Sequence, residues 1–390
     1  MFLDEFAGDL ANADDGAAAE VGVDRAEKLY GRIFNDYGDD SVAQLGGVHL
    51  ACENVSNLLT KVLERGRLAA YLEQSTRYIP YTDRSGGVWR YHVPSELDGH
   101  PLRAAYVEAL DATFETYAKW IDPLRVYFEK KYPKQPGDSD AVYRSATRAK
   151  ALDTLRGLLP AATQSNVGIY ASGQAYEALI LRMRAHALAE VRDYADLMLT
   201  ELRKVIPAFL TRVDQPERGG TWTSYLAGAR ARTIEIAERL TAGTEPDRRS
   251  EVTLTDFDPD GEVKVVAAAL YTATDLPDDQ LLAMARAMSA ADRAAVLSAY
   301  VGNRTNRRHK PGRAFERTSY RFDILTDYGA FRDLQRHRLM TIDWQALTTR
   351  HGHIRPEAVI DAGAGADWDA AMARSAELFD QLTEGGFRDA

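Results

Sequence analysis

The stretch RGRLAAYLEQSTRY, residues 65–78, sets Arg65, Arg67, Arg77, Glu73, Ser75 and Thr76 within fourteen residues and ends on Tyr78. Guanidinium groups at this density present planar paired donors suited to phosphate. A carboxylate among them orients a guanidinium or accepts a proton from a substrate ring. On the residues alone, a surface helix laced by ion pairs four residues apart remains the alternative.

Outward from this stretch, helical periodicity dominates. Leu102–Lys131 carries Tyr106, Leu110, Phe114, Tyr117 and Trp120 at three- and four-residue spacing, which predicts one long helix with a buried stripe. Residues 174–206 predict a second, with Leu179, Ile180, Met183, Ala187, Val191, Met198 and Leu202 inward and Pro207 ending it. Arg182, His186 and Glu190 recur every four residues there and form one polar line, whose ordinary reading is a solvated stripe. Residues 88–93 alternate as a strand. Residues 252–254 and 263–266, joined by Asp258-Pro259-Asp260-Gly261, read as a hairpin or a strand-turn-helix. The polar segment TAGTEPDRRS, 241–250, marks a domain boundary.

Composition narrows the function. The 390 residues are 45% hydrophobic and 27% charged, as in soluble globular domains. No apolar run approaches the roughly 20 residues needed to span a bilayer, and the acidic opening MFLDEFAGDLANADDGAAAE lacks the order of a signal peptide. A cytoplasmic location, with no membrane partner, is the expectation. The net charge of −10 argues against nucleic acid as partner, since backbone affinity comes from Lys and Arg. The single cysteine, Cys52, excludes an internal disulfide and lies in an apolar segment, so it reads as a core residue. His351-Gly352-His353 offers two imidazoles where metal sites need three or four ligands, so no metal is expected. The basic run at Arg304, Arg307, Arg308, His309, Lys310 and Arg313 reads as a solvated loop, and there is no phosphate-binding glycine loop.

A faint internal repeat crosses the boundary. In each half an apolar, helical-looking approach of about twenty residues leads into Arg-x-Arg-Leu, at 65–68 and again at Arg336-His337-Arg338-Leu339.

Residues 65–78 resemble the signature of flavin-dependent thymidylate synthases, R-H-R-x-x-S-x-N-E-x-S-x-R-Y. Arg65, Arg67, Glu73, Ser75, Arg77 and Tyr78 match it, while Gly66, Ala70 and Leu72 stand in place of His, Ser and Asn. The flanks are similar too. Asp40-Ser41-Val42 and Asn54-Val55-Ser56 resemble the family's entry and V-S steps, and Arg156-Gly157-Leu158-Leu159-Pro160 its A-R-x-x-L-P segment. Leu181-Arg182 with Glu190 resembles its L-R-x7-E helix, although Ala171 and Gly173 replace the preceding Asn-x-Arg. In the second half the triplet Arg336-His337-Arg338 is intact and Arg313-Ala314-Phe315-Glu316 resembles the entry helix. Downstream, Thr341 and Asp343 stand for Ser and Asn, whereas Trp344, Ala346 and Thr348 replace Glu, Ser and Arg.

The resemblance implies a helix-rich α+β fold in two copies, 1–243 and 250–390, the second incomplete at its C-terminal end. It implies methylation of dUMP to dTMP, with FAD as cofactor, methylenetetrahydrofolate and NADPH as co-substrates, and a homo-oligomer. By position it implies Glu73, Ser75 and Arg77 as catalytic. Arg65, Arg77, Tyr78, Arg156 and Arg182 would bind substrate, and Arg67, Arg336, His337 and Arg338 would bind flavin. Two alternatives stay open: a degenerate, non-catalytic homologue that binds nucleotide or completes a larger assembly, and a helical interaction protein whose arginines are only surface ion pairs.

The spacing further predicts a piece of a longer tandem protein. Arg182 follows Arg65 by 117 residues, an offset that carries Arg336 to position 453, beyond residue 390. Val252 precedes Arg336 by 84 residues, yet only 64 residues precede Arg65.

Overall fold

The computed structural model describes Gln44 and residues 46–387; the acidic opening and Asp40-Ser41-Val42 lie outside the described residues. Packing divides the chain into two units. One runs to Ala242 and resumes at Asp327, and the other is Gly243–Thr326. The change of unit falls at the polar 241–250 segment. The division into copies at 243 and 250 concerns kinship, which packing does not test; in space, the chain from Asp327 onward belongs with the first unit.

Among the described residues, the first unit has β1 (Gly47–Ser56), α1 (Asn57–Leu63) and β2 (Ala69–Glu73), then the short pair β3 (Arg84–Ser85) and β4 (Val88–Trp89). Helices α2 (Leu102–Lys131) and α3 (Asp140–Leu155) follow, then β5 (Gln164–Ser172), α4 (Gly173–Arg184), α5 (Ala189–Leu202) and α6 (Thr221–Thr241). The second unit holds β6 (Val252–Phe257), helices α7 (Gly261–Tyr271), α8 (Asp278–Ala287) and α9 (Ala290–Val301), and β7 (Tyr320–Ile324), which pairs antiparallel with β6. The first unit then receives α10 (Tyr328–Gln335), α11 (Glu357–Asp361) and α12 (Gly365–Glu384). The class is α+β and helix-rich.

In the first unit β5 is central, antiparallel to β1 on one side and β2 on the other, so Val167 faces both Cys52 and Glu73 across the ladders. A bulge between Cys52 and Val55 puts Asn54 at φ 57, and Asn166 Oδ1 accepts its backbone N–H at 2.9 Å. Ser56 then caps α1 by accepting from Leu59 N at 3.0 Å. Val55, Leu59, Val167, Ile169, Tyr176, Ile180 and Val191 bury this sheet face against α4 and α5. A second core joins α2 to α3 and α12 through Phe114, Tyr117, Leu124, Leu152 and Trp368. Burying a side chain such as Phe114 or Leu124 contributes roughly 1.5–3 kcal/mol.

Three expectations change, and one open alternative closes. Residues 174–206 form two helices: α4 caps at Ala185, and α5 starts after Leu188, which is extended (φ −70, ψ 131). Glu96 Oε1 accepts from Ala189 N at 2.8 Å and Arg192 holds the carbonyls of His186 and Ala187, so side chains take over backbone groups that a continuous helix would pair. The Arg182–His186–Glu190 line therefore does not exist as one stripe. The helical approach to Arg65 is a strand and a seven-residue helix. The strand at 88–93 shortens to Val88–Trp89, with Tyr91 bridging to Thr163. Residues 252–266 resolve as strand-turn-helix, where a Cβ at Gly261 would stand 2.2 Å from Thr318 Oγ1.

Cys52 is buried, and burial pushes its thiol up to about 12. The folded chain is expected to leave a thiol reagent unreacted at mildly alkaline pH and to yield one equivalent once denatured; rapid reaction of the native protein would contradict this burial. Among the described residues, no helix is long and apolar enough to cross a membrane.

Candidate functional site

Helix α1 ends at Glu64, and the chain turns through 65–68 into β2. In β2, Tyr71 and Glu73 share the half-buried face while Ala70 and Leu72 face solvent. Helix α10 leads into the second triplet in the same way, so a short helix precedes each arginine pair.

The two triplets cross. Arg336 Nη2 meets Glu73 Oε2 at 2.9 Å, and the Arg338 guanidinium lies 4.9 Å from the Tyr71 ring centroid. Conversely, the Arg65 guanidinium sits 5.0 Å over Trp344 and its Nη2 is 3.5 Å from Asp343 Oδ1. Arg67 donates to Met340 O and Thr341 Oγ1, each at 3.3 Å. Counted from the first arginine of each triplet, Trp344 holds the place that Glu73 holds, so Arg65–Trp344 mirrors Arg336–Glu73. Arg65, Arg67, Arg338, Thr341, Asp343 and Trp344 line a cleft of about 160 Å³.

Glu73 is the buried centre of this crossing, its side chain 2% exposed. Its carboxylate accepts from Arg332 Nη2 at 2.7 Å, Arg336 Nη2 at 2.9 Å and Lys61 Nζ at 3.3 Å. Burial alone would raise its pKa, but Arg332, Lys61 and Arg336 together outweigh burial and hold the carboxyl below its ordinary range. Around it, Gln335 Nε2 donates to Lys61 O at 2.6 Å and Tyr328 Oη to Asn57 O at 2.9 Å, which fasten α10 to α1.

Arg182 lies in the last turn of α4 and is exposed. Desolvation first, and the charge of Arg65 second, lower its pKa, and the neighbouring Tyr71 opposes them. Arg182 makes no ion pair among the described residues. Arg65, far away in sequence, thus sets its positive charge within reach of Arg182.

The other residues stand apart from this pair. Ser75 Oγ accepts from Arg77 N at 3.3 Å, Tyr78 is 67% exposed, and no contact among the described residues links the Arg77 guanidinium to Arg182. Arg156 pairs with Asp153 at 3.1 Å beside Gly329. His337 is exposed. Glu190, expected beside Arg182, is buried at the β1–α1 junction and accepts from Ser56 N and Oγ at 2.8 and 2.5 Å. Lys61, Arg332, Tyr71 and Trp344 escaped the sequence reading. The four-residue spacing of Arg332 and Arg336 was the available signal for the first carboxylate contact.

Two crossed Arg-x-Arg segments on a helix-rich α+β frame thus surround one buried carboxylate, with Arg182 nearby. The comparisons narrow the class. A family model described as thymidylate synthase complementing protein matches residues 5–208. The UPF0159 protein of Chlamydia muridarum is 37% identical over 380 residues, covering 97% of this chain and 72% of that protein. The UPF0159 protein of Chlamydia pneumoniae is 37% identical over 392 residues, covering 98% and 73%. The flavin-dependent thymidylate synthase of Clostridium tetani is 28% identical over 194 residues, covering 48% of this chain and 72% of that enzyme. The chain belongs to the thymidylate synthase complementing protein family.

Proposed function

We propose that this chain methylates dUMP to dTMP as an FAD-dependent thymidylate synthase, with methylenetetrahydrofolate as one-carbon donor and NADPH as reductant of the flavin. The observation that carries the reading is the reciprocal crossing of the triplets, Arg336 on Glu73 and Arg65 over Trp344. Such a crossing is what two related copies sharing one site would produce, and it supports a tandem origin of the two halves.

In this reading Arg65 and Arg182 bind the nucleotide phosphate, and Arg77, Tyr78 and Arg156 serve the substrate from farther out. Ser75 and Arg77 act at the ring. Glu73 keeps its place in the signature through another role: saturated by three cations, it holds Arg332 and Arg336 in position. Arg67, Arg336, His337 and Arg338 take the flavin side. The donor set of the cleft fits a diphosphate, three arginines facing one exposed carboxylate. Its volume of about 160 Å³ admits a phosphate-bearing end, since pockets that enclose whole drug-sized ligands start at roughly 300 Å³. Reduced FAD, held by these residues, would supply the hydride. The arginines supply a fixed positive field where anionic intermediates form. The remaining flavin contacts come from further copies in a homo-oligomer.

A second reading, a non-catalytic homologue that retains nucleotide, draws on the same Glu73: a carboxylate held by Lys61, Arg332 and Arg336 is not free to move a proton. Assay of dTMP formation from dUMP with all co-substrates separates the two. Turnover above the no-enzyme control is expected; none, with nucleotide still bound, supports the second reading.

His337→Ala should lower flavin occupancy, because His337 is the only imidazole held by either triplet, Gly66 occupying the other middle position. Full occupancy in the variant, read from flavin released on denaturation, would remove His337 from the flavin side.

A further inference from the structure

Gly66 is not glycine for the sake of its backbone, since its φ lies outside the left-handed region. It is glycine for space: a Cβ there would stand 2.6 Å from Tyr71 Oη, while the next ring atom, Cζ, is 4.0 Å away. The Tyr71 hydroxyl donates to Gly66 O at 3.1 Å, which ties the 65–67 turn to β2. The ring of the same residue seats Arg338, whose guanidinium lies 4.9 Å from the ring centroid. Tyr71 also lies within the fields of Arg182 and Arg338. One phenol therefore holds the turn between Arg65 and Arg67, carries Arg338 on its ring and lies in the field of Arg182.

The second half carries the converse pair. Its triplet has His337 in the middle, and the residue five positions on, matching Tyr71, is Ile342. A glycine goes with a tyrosine, and a histidine with an aliphatic residue that has no hydroxyl to place.

We propose that Tyr71 is the positioning residue of the arginine cluster, its hydroxyl standing in for the side chain that Gly66 lacks and its ring seating Arg338 for anion binding. The inference deepens the proposed site and rests on that reading for the identity of the anion. Position 66 and the Tyr71 hydroxyl are then alternative occupants of one space.

The test is a double-mutant cycle on the full chain, read by calorimetric titration with dUMP and by thermal melting. Tyr71→Phe should weaken dUMP roughly fivefold through loss of one hydrogen bond, and Tyr71→Leu should in addition lower the FAD retained after removal of excess, because the seat of Arg338 goes as well. Gly66→Ala should weaken dUMP and lower the melting temperature in the wild-type background. In the Tyr71→Phe background the same change should add nothing, because the atom it strikes is gone. Unchanged dUMP affinity in both Tyr71 variants, or additive effects of Gly66→Ala and Tyr71→Phe, would overturn the proposal. A wild-type chain that binds no dUMP refutes the assigned nucleotide. The melting temperatures of the four proteins still decide whether positions 66 and 71 exclude one another.

Discussion

Glu73→Ala is expected to destabilise the chain by about 3–5 kcal/mol, because truncating one partner of a buried ion network leaves the other charges desolvated and unpaired. Lys61 and Arg332 side chains are 5% and 13% exposed, so water does not replace the lost carboxylate. Lys61 keeps Glu64 at 2.8 Å, which confines the loss mainly to Arg332 and Arg336. Glu73→Gln should cost less, since the amide oxygen still accepts one hydrogen bond. Acid should act in the same direction. The folded pKa of Glu73 lies below its ordinary 4.5, so its contribution is complete above that value and is lost as pH falls through the lower folded pKa. Stability against urea, measured downward from pH 6, should fall less steeply in Glu73→Gln than in wild type. Identical slopes, or a loss below 1 kcal/mol for Glu73→Ala, would mean that the network contributes little.

Arg182→Ala is expected to separate binding from stability. Its guanidinium lies in the field of Arg65 without a carboxylate partner among the described residues, so removal relieves a like-charge contact and should leave the melting temperature unchanged or slightly raised. The same change removes a charge-assisted phosphate contact, which should weaken dUMP by about 2 kcal/mol, roughly thirtyfold. Arg182→Lys should recover only part, as an ammonium lacks the planar fork. Equal dUMP affinity in wild type and Arg182→Ala, by calorimetry, would take Arg182 out of the site.

What the sequence carried and what it hid follow from different physics. The helix at Leu102–Lys131 was legible because its apolar stripe runs unbroken through Tyr106, Phe114 and Tyr117 to the core. The break at 185–188 was not, because Met183 and Val191 keep apolar spacing on both sides while the interruption is made by distant partners, above all Glu96. Likewise the strand and short helix before Arg65 blur into one apolar run when read by composition. The signature residues were legible as chemistry, and the charge of Arg65 does reach Arg182. Their division of labour was not: Glu73 faces three cations, two of which come from more than two hundred and fifty residues away. Trp344 reads as the loss of a glutamate, yet it takes Arg65 on its ring. Gly66 reads as a lost histidine, and the sequence does not show that the Tyr71 hydroxyl stands where its Cβ would reach.

The central claim, that the crossed triplets form a flavin and nucleotide site, is tested most directly by the visible absorbance of the purified chain after incubation with FAD and removal of the excess, before and after adding dUMP. The account predicts a retained yellow flavin band whose shape changes on nucleotide addition. A colourless protein whose spectrum does not respond to dUMP would contradict it.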